Sequence, residues 1–182
     1  MANFVMRELG VDEATAHKLR KEYWQTHGTT LAGLMREHDV DPDPFLDAVH
    51  QLDLSHLEKD MELRASILAL PGKKIIYTNG SRDHAYKVSE ARGLDGVFDA
   101  VYGIEDANYA PKPDRAAFDM VFAAAGLQPK NGAMFEDDIR NLEVPHILGM
   151  KTVLVGPPED AEHVHHQTEN LSDFLSRLVR AE

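Results

Sequence analysis

At 182 residues, 43% apolar and 27% charged, the chain is long enough to bury a core as one domain or as one domain with a small accessory lobe. Its net charge of −12 argues against a nucleic-acid polymer or a membrane surface as partner, because phosphate groups in bulk would be repelled. With no cysteine, disulfides, thiolate nucleophiles and cysteine-ligated metals are also excluded.

The first sixty residues read as helices without strands. Asp12 is a candidate N-cap, and Ala16, Leu19, Tyr23 and Trp24 recur at helical spacing as far as Gly28. A second helix is expected over 30–38. The Asp41-Pro-Asp-Pro44 stretch breaks the chain, and 44–50 restarts it. One more helix, over 61–70, is stopped by Pro71 and Gly72.

From Lys73 the rhythm becomes strand and helix in alternation. Strands are expected over 75–77, 98–102, 133–135 and 152–155, and helices over 83–92, 115–125, 141–148 and 171–179. This alternation predicts an α/β fold, with a parallel sheet and helices on both faces. The expected division is a helical part over 1–60 and an α/β core over 61–182. Ligands of such sheets bind outside the carboxyl ends of the strands.

Three strand ends and loops carry candidate chemistry. Thr78, Asn79 and Gly80 follow an apolar strand, where a hydroxyl and amide N–H groups can bond phosphate oxygens and glycine permits close approach. The competing reading makes Thr78 a helix cap. Lys112 stands between Pro111 and Pro113, which fix the backbone around a positive charge suited to a phosphoryl group; otherwise it is a solvated loop lysine. Glu136, Asp137 and Asp138 crowd one strand end, where hard oxygen ligands suit Mg²⁺. One of them can cap the following helix, but three exceed what a cap needs.

Taken together these motifs resemble the haloacid dehalogenase superfamily, and within it the pyrimidine 5′-nucleotidase-like branch. The strand ending in Thr78, the Lys112-Pro-Asp114 segment and the acidic group after Phe135 match the family's second, third and fourth motifs in order. The resemblance implies a Rossmann-like core with a helical cap, and a Mg²⁺-dependent phosphomonoesterase lineage. Its substrate would be a small phosphorylated metabolite such as a nucleoside monophosphate. In this alignment Thr78, Asn79, Gly80 and Lys112 hold the phosphate, Glu136 and Asp137 ligate Mg²⁺, and Asp138 takes the place of a common serine.

One part of the family pattern has no counterpart. Members begin with a strand ending in Asp-x-Asp, whose first aspartate attacks phosphorus and whose second is the general acid and base. Asp39, Asp41 and Asp43 lie among prolines with no apolar run before them, and Asp53 lacks a partner acid. Loss of a covalent nucleophile costs roughly 10⁴–10⁶ in rate. The absent strand would also be central, leaving backbone groups unpaired at roughly 1–3 kcal/mol each. The expectation is therefore that the natural protein starts upstream of Met1, and that a chain truly starting there is inactive or nearly so. Two alternatives stand beside the phosphatase: a non-catalytic protein that keeps the phosphate pocket, and a 2-haloacid dehalogenase, which needs no divalent ion.

Remaining features carry less. His163, His165 and His166 are expected in a solvated loop, since a fourth metal ligand is not evident. Tyr23 and Trp24 are expected in the cap core, with nucleobase stacking as the lesser reading. Arg82 is either a phosphate contact or a surface residue. The N-terminal residues lack both a basic start and an apolar core, so a cytoplasmic protein is expected. It would be a monomer or a homodimer, the strand-deficient sheet being able to recruit a second copy.

Overall fold

The computed structural model describes residues 1–180. Four helices come first: α1 (Ala2–Leu9), α2 (Glu13–His27), α3 (Thr30–His38) and α4 (Pro42–His50). Each of the last three starts at a side-chain cap. Asp12, Thr29 and Asp41 accept from the N–H groups of Thr15, Ala32 and Asp43. Their apolar faces bury Phe4, Val5, Tyr23, Leu34 and Phe45 in one cluster, with Phe4 and Phe45 edge-to-face at 5.2 Å. The close approach of α2 and α3 requires glycine at position 33, where a Cβ would lie 2.2 Å from the Tyr23 ring. Ile104, from the second half of the chain, completes this cluster and anchors the helices to the rest.

The second half alternates as expected: α5 (Met61–Ala69), β1 (Ile75–Tyr77), α6 (Arg82–Ala91), β2 (Ala100–Tyr102), α7 (Arg115–Ala125), β3 (Ala133–Glu136), α8 (Glu143–Ile147), β4 (Lys151–Val155), β5 (His166–Thr168) and α9 (Leu171–Arg180). All strand pairings are parallel. The helix expected over 141–148 is instead a 3-10 turn, Ile139–Leu142, followed by α8. Pro145 has no N–H to give a longer helix, and falls within the first turn of α8, where none is needed. β5 was not expected. It forms where Thr152 Oγ1 bonds the His163 carbonyl at 2.6 Å and His165 Nδ1 at 2.7 Å, drawing that segment alongside β4. His163 and His165 are therefore tied to the fold, with His163 Nε2 3.0 Å from the Ile139 carbonyl, while His165 and His166 are exposed as a solvated segment would be.

The strands do not make one sheet. β1 pairs with β2, and β3 pairs with β4 and then β5. The two pieces are held side by side by shared helices. Phe118 and Val121 of α7 pack in a cluster with both Tyr77 and Met134, while Ile67 of α5 and Leu175 of α9 cover Phe98 and Phe135 on the other face. Burial reflects the break. β4, paired on both sides, buries Thr152, Val153 and Leu154, whereas every residue of β1 is half-exposed and β3 buries only Glu136. This is the sheet of the expected fold without its first central strand. Among the described residues no helix is long and apolar enough to cross a membrane.

Candidate functional site

Lys112 is the centre of the site. Its N–H donates to Asn79 Oδ1 at 2.7 Å and its carbonyl accepts from Asn79 Nδ2 at 3.1 Å, so one amide grips both sides of the residue. Its Nζ donates to the Tyr77 carbonyl at 3.1 Å and to Glu136 Oε2 at 2.5 Å. A single ammonium thus ties the carboxyl end of β1 to that of β3 across the break. At 5% exposure it is not a solvated loop lysine.

Thr78 extends the β1 ladder by one bond, from its N–H to the Tyr102 carbonyl at 3.0 Å. Its Oγ1 accepts from the Gly80 N–H at 2.9 Å, which leaves the hydroxyl proton for a ligand. The cap reading of Thr78 does not hold, because Ser81 caps α6 by accepting from the His84 N–H. Asn79 lies beside Thr78, but its side chain is committed to Lys112, so it acts by positioning the lysine.

His50 also belongs to this corner, and sequence reasoning missed it. Its Nδ1 is 2.9 Å from Ser81 Oγ, and its ring stacks on His84 at 4.2 Å. A Cβ at Gly80 would lie 3.3 Å from His50 Nε2, so the loop is packed against the ring. Burial, with the nearby His84 adding to it, lowers the His50 pKa to about 4. The imidazole is neutral at neutral pH. The only signal for it in the sequence is a histidine ending a helix just before the α/β half.

The three acids separate, which corrects the expectation of a shared cluster. Glu136 is buried, paired with Lys112, and its other oxygen accepts from the N–H groups of Asp137 and Asp138 at 3.1 and 3.3 Å. Burial raises its pKa, opposed by the Lys112 charge. Asp138 caps the 3-10 turn and pairs with Arg140, Nη2 to Oδ2 at 2.5 Å; that partner lowers its pKa. Asp137 is exposed and makes no ion pair among the described residues. Among those residues no group of three metal-ligating side chains is gathered. Asp137 alone is uncommitted, which fits a Mg²⁺ held by one carboxylate with waters and substrate oxygens.

Arg140 makes a second link. Its guanidinium lies 4.0 Å from the centroid of the Trp24 ring, tying the acidic strand end to α2. Trp24 is 47% exposed and is not part of the cap core, unlike Tyr23, which is buried with its hydroxyl 2.6 Å from His38 Nε2. Arg82 is paired with Asp106 rather than turned to the phosphate loop. A cavity of about 540 Å³ opens between the first four helices and this corner, bounded by Trp24 on one side and by His50 and Asn79 on the other.

A fold of this topology, with threonine, lysine and an acidic strand end brought to one edge, is similar to that of haloacid dehalogenase-like hydrolases. Residues 62–145 match the family model described as haloacid dehalogenase-like hydrolase. The chain is 27% identical over 188 residues to Phosphate metabolism protein 8 of Saccharomyces cerevisiae, an alignment covering 94% of this chain and 57% of that protein. The chain thus spans little more than half the length of this curated relative. Its fold is similar to that of a HAD phosphatase from Thermococcus onnurineus (TM-score 0.64, 17% identity, 97% of this chain and 86% of that one). It is similar, too, to L-2-haloacid dehalogenase from Xanthobacter autotrophicus (TM-score 0.63, 20% identity, 98% and 91%). A HAD-hydrolase from Bacillus subtilis described as bound to magnesium has the same fold (TM-score 0.61, 15% identity, 97% and 88%).

Proposed function

We propose that this chain forms the phosphate-binding and metal-binding part of a Mg²⁺-dependent phosphomonoester hydrolase acting on a small phosphorylated metabolite. A nucleoside monophosphate is one such candidate. The observation that carries this reading is the Lys112 ammonium, buried and fixed from two sides at the edge where Thr78 and Asp137 also lie. A buried, prepositioned cation stabilises charge on a transferring phosphoryl group without reorganising during the reaction. The Thr78 hydroxyl and the Gly80 loop would bond the phosphoryl oxygens, and Asn79 holds the lysine in register. Mg²⁺ would be held by Asp137, and would supply neutralisation of phosphate charge.

The attacking carboxylate is the remaining need. No described strand ends in an Asp-x-Asp pair. The break between β1 and β3 supports a reading in which a parallel strand lies there and brings the acid to Thr78 and Lys112. The experiment is a phosphate-release screen over phosphate esters, with and without Mg²⁺, on this chain and on one extended upstream. Release by the extended chain alone, dependent on Mg²⁺ and lost in Lys112→Met, is expected. Full-rate release by the 182-residue chain would show that the nucleophile has been misassigned.

A non-catalytic phosphate-binding protein is the second reading, favoured by that same lack of a strand-end aspartate. It predicts stabilisation by phosphate esters and no turnover from either chain. Dehalogenation of a 2-halo acid is disfavoured by the uncommitted Asp137; chloride release without Mg²⁺ would establish it.

A further inference from the structure

We infer that α2 carries a selectivity element for a phosphate ester whose organic part bears a second anionic group. His17, Arg20, Lys21 and Trp24 all line the 540 Å³ cavity, and their spacing puts them on one stripe of the helix. The neighbouring stripe, with Ala16 and Tyr23, is buried in the helical cluster. The inference rests on the phosphatase reading and narrows its substrate class.

In a chain of net charge −12 this lining is a local reversal of sign. The Nε of Arg20 is enclosed with no hydrogen-bond partner, and its Nη1 has only His17 Nδ1 near it, at 3.5 Å. Neither Arg20 nor Lys21 is paired with a carboxylate among the described residues, while Glu13 lies 3.8 Å from His17. Arg140 stands at the rim over Trp24, so one indole face is already covered by a cation and does not stand open to a base. Leu31, Phe45 and Val49 give the cavity an apolar wall suited to a hydrocarbon spacer. Asn79, which grips Lys112 and follows Thr78 in the chain, also lines the cavity, so its wall abuts the corner proposed to hold phosphate. The inferred ligand reaches past Asn79 from the Lys112 corner to the α2 stripe, with one anion at each end.

The test is titration calorimetry of the chain with inorganic phosphate, with phosphorylated ω-hydroxy acids of two to six carbons, and with alkyl phosphates of matching length. At one or more lengths the acid is expected to bind at least about tenfold more tightly than its alkyl counterpart, the scale of one added charge-assisted contact. Arg20→Gln/Lys21→Gln should erase that difference and leave alkyl phosphate binding unchanged. Lys21→Glu, at an exposed position that folding tolerates, should reverse the preference. Equal binding of the two series at every length, or a preference that survives in both variants, overturns the inference. If inorganic phosphate and the alkyl phosphates fail to bind at all, the phosphate site itself is wrong and this inference falls with it.

Discussion

Lys112 Nζ and Glu136 Oε2 meet at 2.5 Å in a place where the two residues are 5% and 9% exposed. Removing one partner of such a pair strands a buried charge. Lys112→Met is expected to lower unfolding free energy by about 3–5 kcal/mol, while Lys112→Met/Glu136→Leu returns near the parent value. Urea denaturation of the two single variants and the double variant measures it. A double variant as unstable as the singles would mean that the pair does more than neutralise itself.

Asn79→Ala removes both bonds to the Lys112 backbone but not the ion pair. A loss of about 1–3 kcal/mol follows from two unpaired, part-buried backbone groups. Inorganic phosphate should bind more weakly as well, because the lysine loses its register. Calorimetry that finds phosphate affinity unchanged would remove Asn79 from the site.

His50 makes stability depend on pH. Its folded pKa of about 4 lies below the usual 6.5, so between those values the unfolded chain binds more protons. Its contribution to stability therefore rises with pH through that window and is flat above it. His50→Asn is expected to flatten the rise of melting temperature between pH 4 and 6.5, by on the order of 3 °C after solvent screening. Parallel curves for parent and variant in a pH series of melts would contradict the shift.

Trp24 is the sole tryptophan, so its emission reports the Arg140 contact without labels. Arg140→Ala should red-shift and alter the fluorescence, and Asp138→Asn should do so partly by freeing the guanidinium. The loss of an exposed cation–π contact is worth about 0.5–1 kcal/mol, so both variants should remain folded. Identical spectra in all three proteins would show that the contact does not persist in solution.

Asp137→Asn should abolish Mg²⁺-dependent stabilisation measured in the presence of phosphate. Asp138→Asn should leave most of it, since that carboxylate is held by Arg140. Thermal melts across a Mg²⁺ series separate the two, and equal losses would restore the idea of a shared acidic cluster.

The sequence was most informative where local chemistry and fold agree. Asp12 as a cap, α3 and α7 to their end residues, and β1 all follow from periodicity and stop signals. An interrupted sheet was also expected, because the family resemblance implies a central strand that this sequence lacks, though not where the interruption would fall. What could not be read were choices between equivalent partners. Three consecutive acids look alike in sequence, yet one meets a lysine 24 positions away, one an arginine two positions on, and one neither. Asn79 was a plausible phosphate donor until its amide was found spent on Lys112. The link between Trp24 and Arg140 joins residues far apart in the chain, and no local pattern announces it.

Because β1 and β3 share no backbone pairing among the described residues and are bridged at their ends by the Lys112 side chain, the width of the proposed anion pocket is not a property of the pocket residues alone. The separation between Thr78 and Asp137 is dictated by whatever spacing the main chain adopts at the seam. A few tenths of an ångström of opening or closing there would retune grip on a tetrahedral oxyanion without a single change of residue.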